Sequence, residues 1–183
     1  VLATLGRLLI GAVVAPSTVS PSSILSLLPF VAFLGVAAIG QHLVIQQRGL
    51  DISIAAIMSF AAVIVTALPK AGASTAEVLS YAALALLMGL AAGAVNGVII
   101  TLLKVPSLVT TIGVNAVLFG ITLMVSESVP SQAAPQFAQF TIGLTLGIPN
   151  TVLIAAAVAV IAIFIIERTS IGRKFIAISV SPK

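Results

Sequence analysis

Long apolar runs separated by short polar breaks constrain this chain more than any other feature of its sequence. Hydrophobic residues occupy 60% of the 183 positions and charged residues only 7%, whereas a soluble domain carries about 25% charged residues. So few charges cannot cover a surface that faces water, and the mean hydropathy of +1.31 agrees with this. We therefore expect the bilayer to be the outer solvent. The backbone N–H and C=O groups at an open sheet edge find no hydrogen-bond partner in lipid, so each long run is expected to form a helix.

The apolar runs predict about five membrane-spanning helices after an incomplete N-terminal helix over residues 1–16. Each run is close to the roughly 20 residues that a helix needs to cross the hydrocarbon core. The predicted spans are Ile24–Gln46, Ile52–Leu68, Val78–Leu103, Ser107–Val125 and Thr151–Ile166. The predicted fold class is thus an all-α, polytopic transmembrane bundle. We expect one transmembrane domain over residues 1–183, truncated at both ends.

The stretch Ser126–Asn150 differs from the apolar runs. It contains three prolines, several glutamines and many small residues. Such a stretch is too broken to span a membrane as a helix. We expect an external loop with a short interfacial piece.

The basic residues predict the orientation of the bundle. If the spans alternate, one side receives five basic residues, namely Arg48, Lys104, Arg168, Arg173 and Lys174. The other side receives one, Lys70, together with Glu77 and Glu127. Cytoplasmic loops are enriched in Lys and Arg, so the first side is predicted to be cytoplasmic. The net charge of +4 reflects this orientation, because the scattered cations form no basic face for nucleic acid.

A polar break between the first two predicted spans is the first candidate functional feature. Arg48 and Asp51 lie close together there at the membrane boundary, and Ser53 follows at the start of the next span. Gly49 lets the backbone turn, and Asp51 can cap the next helix, whose dipole favours a negative charge. A capped helix start explains these residues, and a role in gating or lining a pathway explains them as well. The two interpretations are compatible.

Small and polar residues also cluster in the third and fourth predicted spans. Gly89, Gly93 and Gly97 recur every four residues, which predicts a bare helix face for close packing. Asn96 adjoins that face and can bond across helices or line a cavity. Three polar side chains of the fourth span are further candidates to face a pathway: Thr110, Thr111 and Asn115.

The sequence contains no set of residues typical of an enzyme. One His, four widely separated acidic residues and no Cys predict neither a catalytic group, nor a metal site, nor a disulfide. No glycine-rich loop ends in Gly-Lys-Ser or Gly-Lys-Thr, so we do not expect ATP hydrolysis by that route. We therefore expect no cofactor in this chain, and an energy source, if there is one, in a partner.

Four short motifs occur in the order found in ribose-type ABC importer permeases. Leu43–Ile45 leading into Arg48–Ser53 resembles that family's Gly-Ile-Asp-Leu-Ser signature. Gly93–Gly97 resembles its Gly-x-x-Asn-Gly block, and Lys104–Gly113 resembles its Lys-Val-Pro-x-x-(Ile/Val)-x-Thr-Leu-Gly block. Arg168–Arg173 resembles its Arg-Thr-x-x-Gly-Arg block. Each motif alone is weakly specific, but the four together cover nearly the whole chain.

The resemblance implies a permease subunit of an ABC importer in the bacterial inner membrane, which carries a sugar or sugar-like solute. The implied partners are a cytoplasmic ABC ATPase, a periplasmic or surface solute-binding protein, a second permease subunit and membrane lipid. In the family, the helix that docks on the ATPase follows the Arg-Thr-x-x-Gly-Arg block. This assigns Arg173, Lys174 and Lys183 to the ATPase-coupling side. Gln47 departs from the family pattern, which has a glycine before Gly49.

Two other functions stay open at the level of the sequence. An ion-coupled secondary transporter often has acidic residues or broken helices inside the membrane. Here the acidic residues lie at the ends of spans, which counts against that class. A non-transporting membrane scaffold would explain the glycine face, but it would leave the four ordered motifs unexplained.

Overall fold

The chain folds into eight α-helices in a computed structural model that describes residues 2–70, 72–129 and 131–180. The helices are α1 (Leu2–Val14), α2 (Pro21–Gln46), α3 (Ile54–Ala67), α4 (Thr75–Leu102), α5 (Ser107–Val125), α6 (Pro135–Ile142), α7 (Asn150–Arg168) and α8 (Ser170–Val180). A 3₁₀ helix, Pro16–Val19, joins α1 to α2. Strands β1 (Leu144–Thr145) and β2 (Ile148–Pro149) form an antiparallel hairpin between α6 and α7. The predicted all-α class is confirmed.

Serine side chains define where two of the long helices begin. The hydroxyl of Ser20 accepts a hydrogen bond from the backbone N–H of Ser23 at the start of α2, at 3.2 Å. Ser74 accepts in the same way from the N–H of Glu77 at the start of α4, also at 3.2 Å. These caps satisfy donors that lack a partner in the first turn. Helix α4 therefore begins three residues before the predicted start at Val78.

Four helices are long and apolar enough to cross a membrane, namely α2, α4, α5 and α7. Helix α3, in the second predicted span, has 14 residues. At 1.5 Å per residue it extends over about 21 Å, less than the roughly 30 Å of a hydrocarbon core. It is shorter than predicted because residues 47–53 before it remain non-helical. The described residues thus contain four full-length spans and one shorter apolar helix.

The interior of the bundle forms around α3, which packs against α4 and α5. Its buried residues Ala56, Phe60, Ile64 and Val65 join residues of the other two helices in one cluster. By contrast, α7 packs mainly on α2, and none of its described side chains is buried. The outward apolar side chains fit a lipid environment, where exposure of Leu, Ile and Phe costs nothing. The protein-lined interior is therefore at α3, next to the polar break.

The predicted external stretch contains one short helix, α6, followed by the β1–β2 hairpin. The side-chain amide of Gln136 in α6 donates to the carbonyl of Ala73 at 2.9 Å. Helix α6 is thereby attached to the connection between α3 and α4. The predicted break between the fourth and fifth predicted spans is thus present, and its external, interfacial position stays a prediction.

Candidate functional site

Helix α2 ends in a tight turn whose left-handed residue is Arg48. The N–H of Gly49 donates to the carbonyl of Val44 at 3.0 Å, and the N–H of Arg48 donates to that of Ile45 at 2.8 Å. This pair of bonds is a Schellman motif. The φ of Arg48 is 58°, a conformation that glycine adopts more readily. The predicted turn is present, but Arg48, not Gly49, supplies its unusual backbone angle.

Gly49 is favoured at this turn for a different reason, which is close approach. A Cβ atom at this position would lie 3.1 Å from Cγ1 of Val44 and 3.6 Å from Oγ of Ser107. The first distance is tighter than ordinary van der Waals contact. The side chain of Val44 would therefore have to shift slightly to admit a Cβ atom at position 49.

Two side chains of α5 bind the backbone of Leu50, the next residue of the break. The N–H of Leu50 donates to Oγ of Ser107 at 3.2 Å. Its carbonyl accepts from Oγ1 of Thr111, also at 3.2 Å. Non-helical backbone inside a membrane protein needs such partners, because lipid supplies none. These contacts explain why the segment can stay non-helical before α3.

Three predicted site residues form a continuous hydrogen-bonded chain beside this segment. The carboxylate of Asp51 accepts from the N–H of Ser53 at 2.8 Å and from its hydroxyl at 2.6 Å. The side-chain amide of Asn96 in α4 donates to the same Ser53 hydroxyl at 2.8 Å. Ser53 is fully buried, and Asn96 is 5% exposed. Asp51 therefore binds Ser53, the residue that occupies the cap position of α3 in place of the predicted Asp51, and it is joined to α4 through Ser53.

Several buried polar atoms of α4 and α5 have no hydrogen-bond partner among the described residues. They include Oδ1 of Asn96, Oγ1 of Thr110 and Oδ1 of Asn115. Thr110 lines an apolar cavity of about 580 Å³ between α4 and α5. A buried polar atom without a partner costs free energy. These atoms are therefore places where an added polar group would gain a favourable bond.

The glycine face of α4 is open over most of its length in the described part of the chain. A Cβ added at Gly89 would lie 3.7 Å from Cγ2 of Ile57 in α3. At Gly93 and Gly97 it would meet no atom within 4 Å. Close packing of a further helix on this face stays a prediction.

Helix α8 carries two of the predicted ATPase-side residues, Arg173 and Lys174, and both are exposed. The third, Lys183, lies outside the described residues. The side-chain amide of Gln47 donates to the backbone carbonyl of Phe175 in α8 at 3.0 Å. The polar break is thus bonded to α8 as well as to α4 and α5.

Ser107 and Gln47 are contacts that sequence reasoning missed. Ser107 follows a proline at the start of a predicted helix, a position where a polar side chain often reaches a neighbouring backbone. Gln47 was visible as a departure from the family pattern, but its partner lies 128 positions away.

The fold and this site define a polytopic membrane protein with a broken, polar element in its interior, a feature of many transport proteins. Residues 23–183 match the family described as branched-chain amino acid transport system / permease component. The chain belongs to this family. The family and the four long apolar helices make it a multi-pass protein of the bacterial inner membrane.

Curated relatives of this chain are named as import permeases. The ribose import permease protein RbsC of Escherichia coli (strain K12) is 28% identical over 172 residues, which cover 88% of this chain and 53% of the relative. The D-allose transport system permease protein AlsC of the same strain is 29% identical, with 76% and 42% covered. The autoinducer 2 import system permease protein LsrC of E. coli (strain K12 / DH10B) is 32% identical, with 76% and 40% covered. The chain spans about half the length of the first relative, and no solved structure matches it.

Proposed function

We propose that this chain contributes to the translocation pathway of an ABC importer, as the permease subunit for a sugar or sugar-like solute. The observation that carries the proposal is the hydrogen-bonded chain Asp51–Ser53–Asn96 at a helix break, in a member of a permease family. Relatives named for ribose, allose and autoinducer 2 support the solute class.

The buried polar groups of α4 and α5 suit a solute that carries hydroxyl groups. A sugar hydroxyl both donates and accepts, so it can satisfy an amide oxygen or a threonine hydroxyl. Asn96, Thr110 and Asn115 each contribute a buried oxygen without a partner in the described residues. A solute that reached them would replace its water contacts with bonds to the protein. Pathway-facing positions for Asn96 and Asn115 are part of the proposal, whereas Thr110 lines the apolar cavity between α4 and α5.

The energy source in this proposal is a separate cytoplasmic ABC ATPase, and this chain is a transport subunit rather than an enzyme. The exposed cations Arg173 and Lys174 of α8 lie on the side predicted to be cytoplasmic, where that ATPase would dock. A periplasmic or surface solute-binding protein delivers the solute on the opposite side. A second permease subunit, identical or related, completes the pathway.

Co-purification of the full-length gene product with the products of its neighbouring genes tests the energy source. We expect an ATPase to co-purify and solute uptake into vesicles to require ATP. Added binding protein should stimulate that uptake. The proposal fails if no ATPase is retained and uptake instead stops when a proton or sodium gradient is collapsed.

Replacement of Asp51 tests the role of the break itself. We expect Asp51→Ala in the full-length protein to lower transport about tenfold or more while membrane expression falls far less. Glu77→Ala is a matched control, because Glu77 is also an acidic residue at the start of a helix. If Asp51 acts only as a cap, the Asp51 variant will lose transport and expression in equal proportion.

A further inference from the structure

A polar cleft lies where α2, α4 and α5 meet at the end of the bundle that is predicted to be cytoplasmic. Its volume is about 710 Å³. Two basic residues, Arg48 and Lys104, line it, and none of the described residues in its lining is acidic. Two like charges in one cleft repel each other unless an anion lies between them. The cleft is therefore suited to a negatively charged group.

The hydrogen-bonding groups of the cleft are mainly donors. Ser107 accepts a bond from the N–H of Leu50, so the hydrogen of its own hydroxyl is available. The guanidinium of Arg48 and the ammonium of Lys104 add further donors on either side. A phosphate group offers several acceptor oxygens and a negative charge, and Arg is well suited to bind two of those oxygens at once. The donor set matches a phosphate better than a neutral polar group.

An apolar groove adjoins the polar cleft. It is the cavity of about 580 Å³ between α4 and α5, and Val105 lines both the groove and the cleft. Most of the groove is lined by Ala, Val, Ile, Leu and Met side chains. Leu102, Leu103 and Leu108 are exposed beside the junction. A basic pocket joined to an apolar groove has the shape of a site for an amphiphile with a negative head.

We propose that the cleft and the groove together bind one anionic phospholipid. The headgroup phosphate lies between Arg48 and Lys104, and an acyl chain lies along the groove between α4 and α5. Basic pockets between transmembrane helices at the cytoplasmic end suit anionic headgroups, because the phosphates of that leaflet lie at the same depth. This site does not depend on the proposed transport function, since it needs only the membrane and the described residues.

Native mass spectrometry of the detergent-purified, full-length gene product tests the headgroup part of the site. We expect one added dioleoyl-phosphatidylglycerol per chain to be retained, at least about tenfold better than dioleoyl-phosphatidylcholine. The double variant Arg48→Gln/Lys104→Gln should lower that retention about tenfold or more. The matched control Arg173→Gln/Lys174→Gln removes two cations from the same side but should change retention less than about threefold.

A second variant tests the groove. Gly113 lines it, and a Cβ added there would meet no atom within 4 Å. We expect Gly113→Leu to fill the groove and lower retention of phosphatidylglycerol about threefold or more, because fewer methylene groups of the acyl chain stay covered. Inorganic phosphate at millimolar concentration should not displace the lipid, since it gains nothing from the groove.

Four results would overturn the proposal. Equal losses in the two double variants would mean that the cations act only as general membrane charge. Equal retention of phosphatidylcholine would remove the role of the anionic head. Displacement by inorganic phosphate would indicate an anion site without a lipid. If Gly113→Leu instead breaks a dimer of the protein and leaves lipid retention unchanged, the groove is covered by a second copy of the chain.

Discussion

Polar and small residues at neighbouring positions of α4 behave differently in the same membrane helix. Asn96 is 5% exposed and bonds across to Ser53 at the start of α3. Gly93, which adjoins Asn96 on the helix surface, and Gly97 have open space where a side chain would be. Both features appeared in one sequence motif, Gly93–Gly97. Of these three positions, Asn96 contacts the start of α3, while the two glycines leave space beside it.

This difference follows from what each residue type needs. A buried amide gains from a partner, and the amide nitrogen of Asn96 finds one in Ser53 next to the break. A glycine has no such requirement and only permits an approach. Asn96 therefore marks an observed contact, whereas the small-residue face indicates only that a contact is possible. Four variants, tested as folded full-length protein in detergent, can break or sharpen this comparison.

The largest loss of stability is expected for Ser53→Val. It removes the hydroxyl that joins Asp51 to Asn96, and it adds a methyl group at a fully buried position. We expect the free energy of unfolding to fall by about 3 kcal/mol. Denaturant titration followed by circular dichroism measures this. Ser59→Val, inside α3, is the control, because its hydroxyl bonds within the helix to the carbonyl of Ala55. Similar losses in both variants would mean that the network adds nothing.

A smaller loss is expected for Thr111→Val, which keeps the shape of the side chain. It leaves the carbonyl of Leu50 without the hydroxyl of α5. Interhelical bonds of this kind contribute about 0.6 kcal/mol on average and up to about 1.7 kcal/mol, so we expect a loss of about 1 kcal/mol in the same titration. Thr66→Val, whose hydroxyl bonds within α3, should change stability much less. If Thr111→Val leaves the free energy of unfolding unchanged, the break keeps its shape without the bond from α5.

Gln47→Ala should have a local effect with little change in overall stability. Without the bond to the carbonyl of Phe175, α8 is held less firmly to the break. We expect amide hydrogen exchange in α8 to accelerate about threefold, because losing one bond of modest strength favours local opening. Gln46→Ala is the control, since Gln46 bonds to His42 one turn earlier in α2. Unchanged exchange in α8 would show that Gln47 does not hold it.

The smallest effect is expected for Gly93→Leu, on the open face of α4. Nothing within 4 Å in the described chain obstructs a Cβ atom there, and Leu favours a helix more than Gly does. We expect the free energy of unfolding to stay the same or to rise by less than about 1 kcal/mol. A clear fall in stability would show that Gly93 is covered in the folded protein. The contrast between a bonded Asn96 and an open glycine face would then be lost.

The long apolar runs predict the helices well because their length and composition leave helix as the one structure that lipid allows. Ser107–Val125 is both the predicted span and the observed α5. The length of α3 was harder to predict. It depends on Ser107 and Thr111 reaching the backbone of Leu50 from more than fifty positions away, and no local pattern contains that information.

Part of the site could also be predicted. Asp51, Ser53, Asn96 and Thr111 were candidates from the sequence, and the structure brings them together around the break. Asn115 was a candidate too, yet its buried oxygen has no partner among the described residues. The rotation of a helix about its axis decides which polar side chains meet a partner. A helix with apolar residues on all sides has no apolar stripe from which that rotation can be predicted.

The hydroxyl of Ser53 has a single hydrogen, and that hydrogen goes to the carboxylate of Asp51. Its oxygen can then only accept from Asn96, whose amide nitrogen must face it. The three side chains therefore form a sequence with one direction, from α4 toward the carboxylate. The break thus contains a small electrical polarity, directed from the amide of Asn96 to the carboxylate of Asp51.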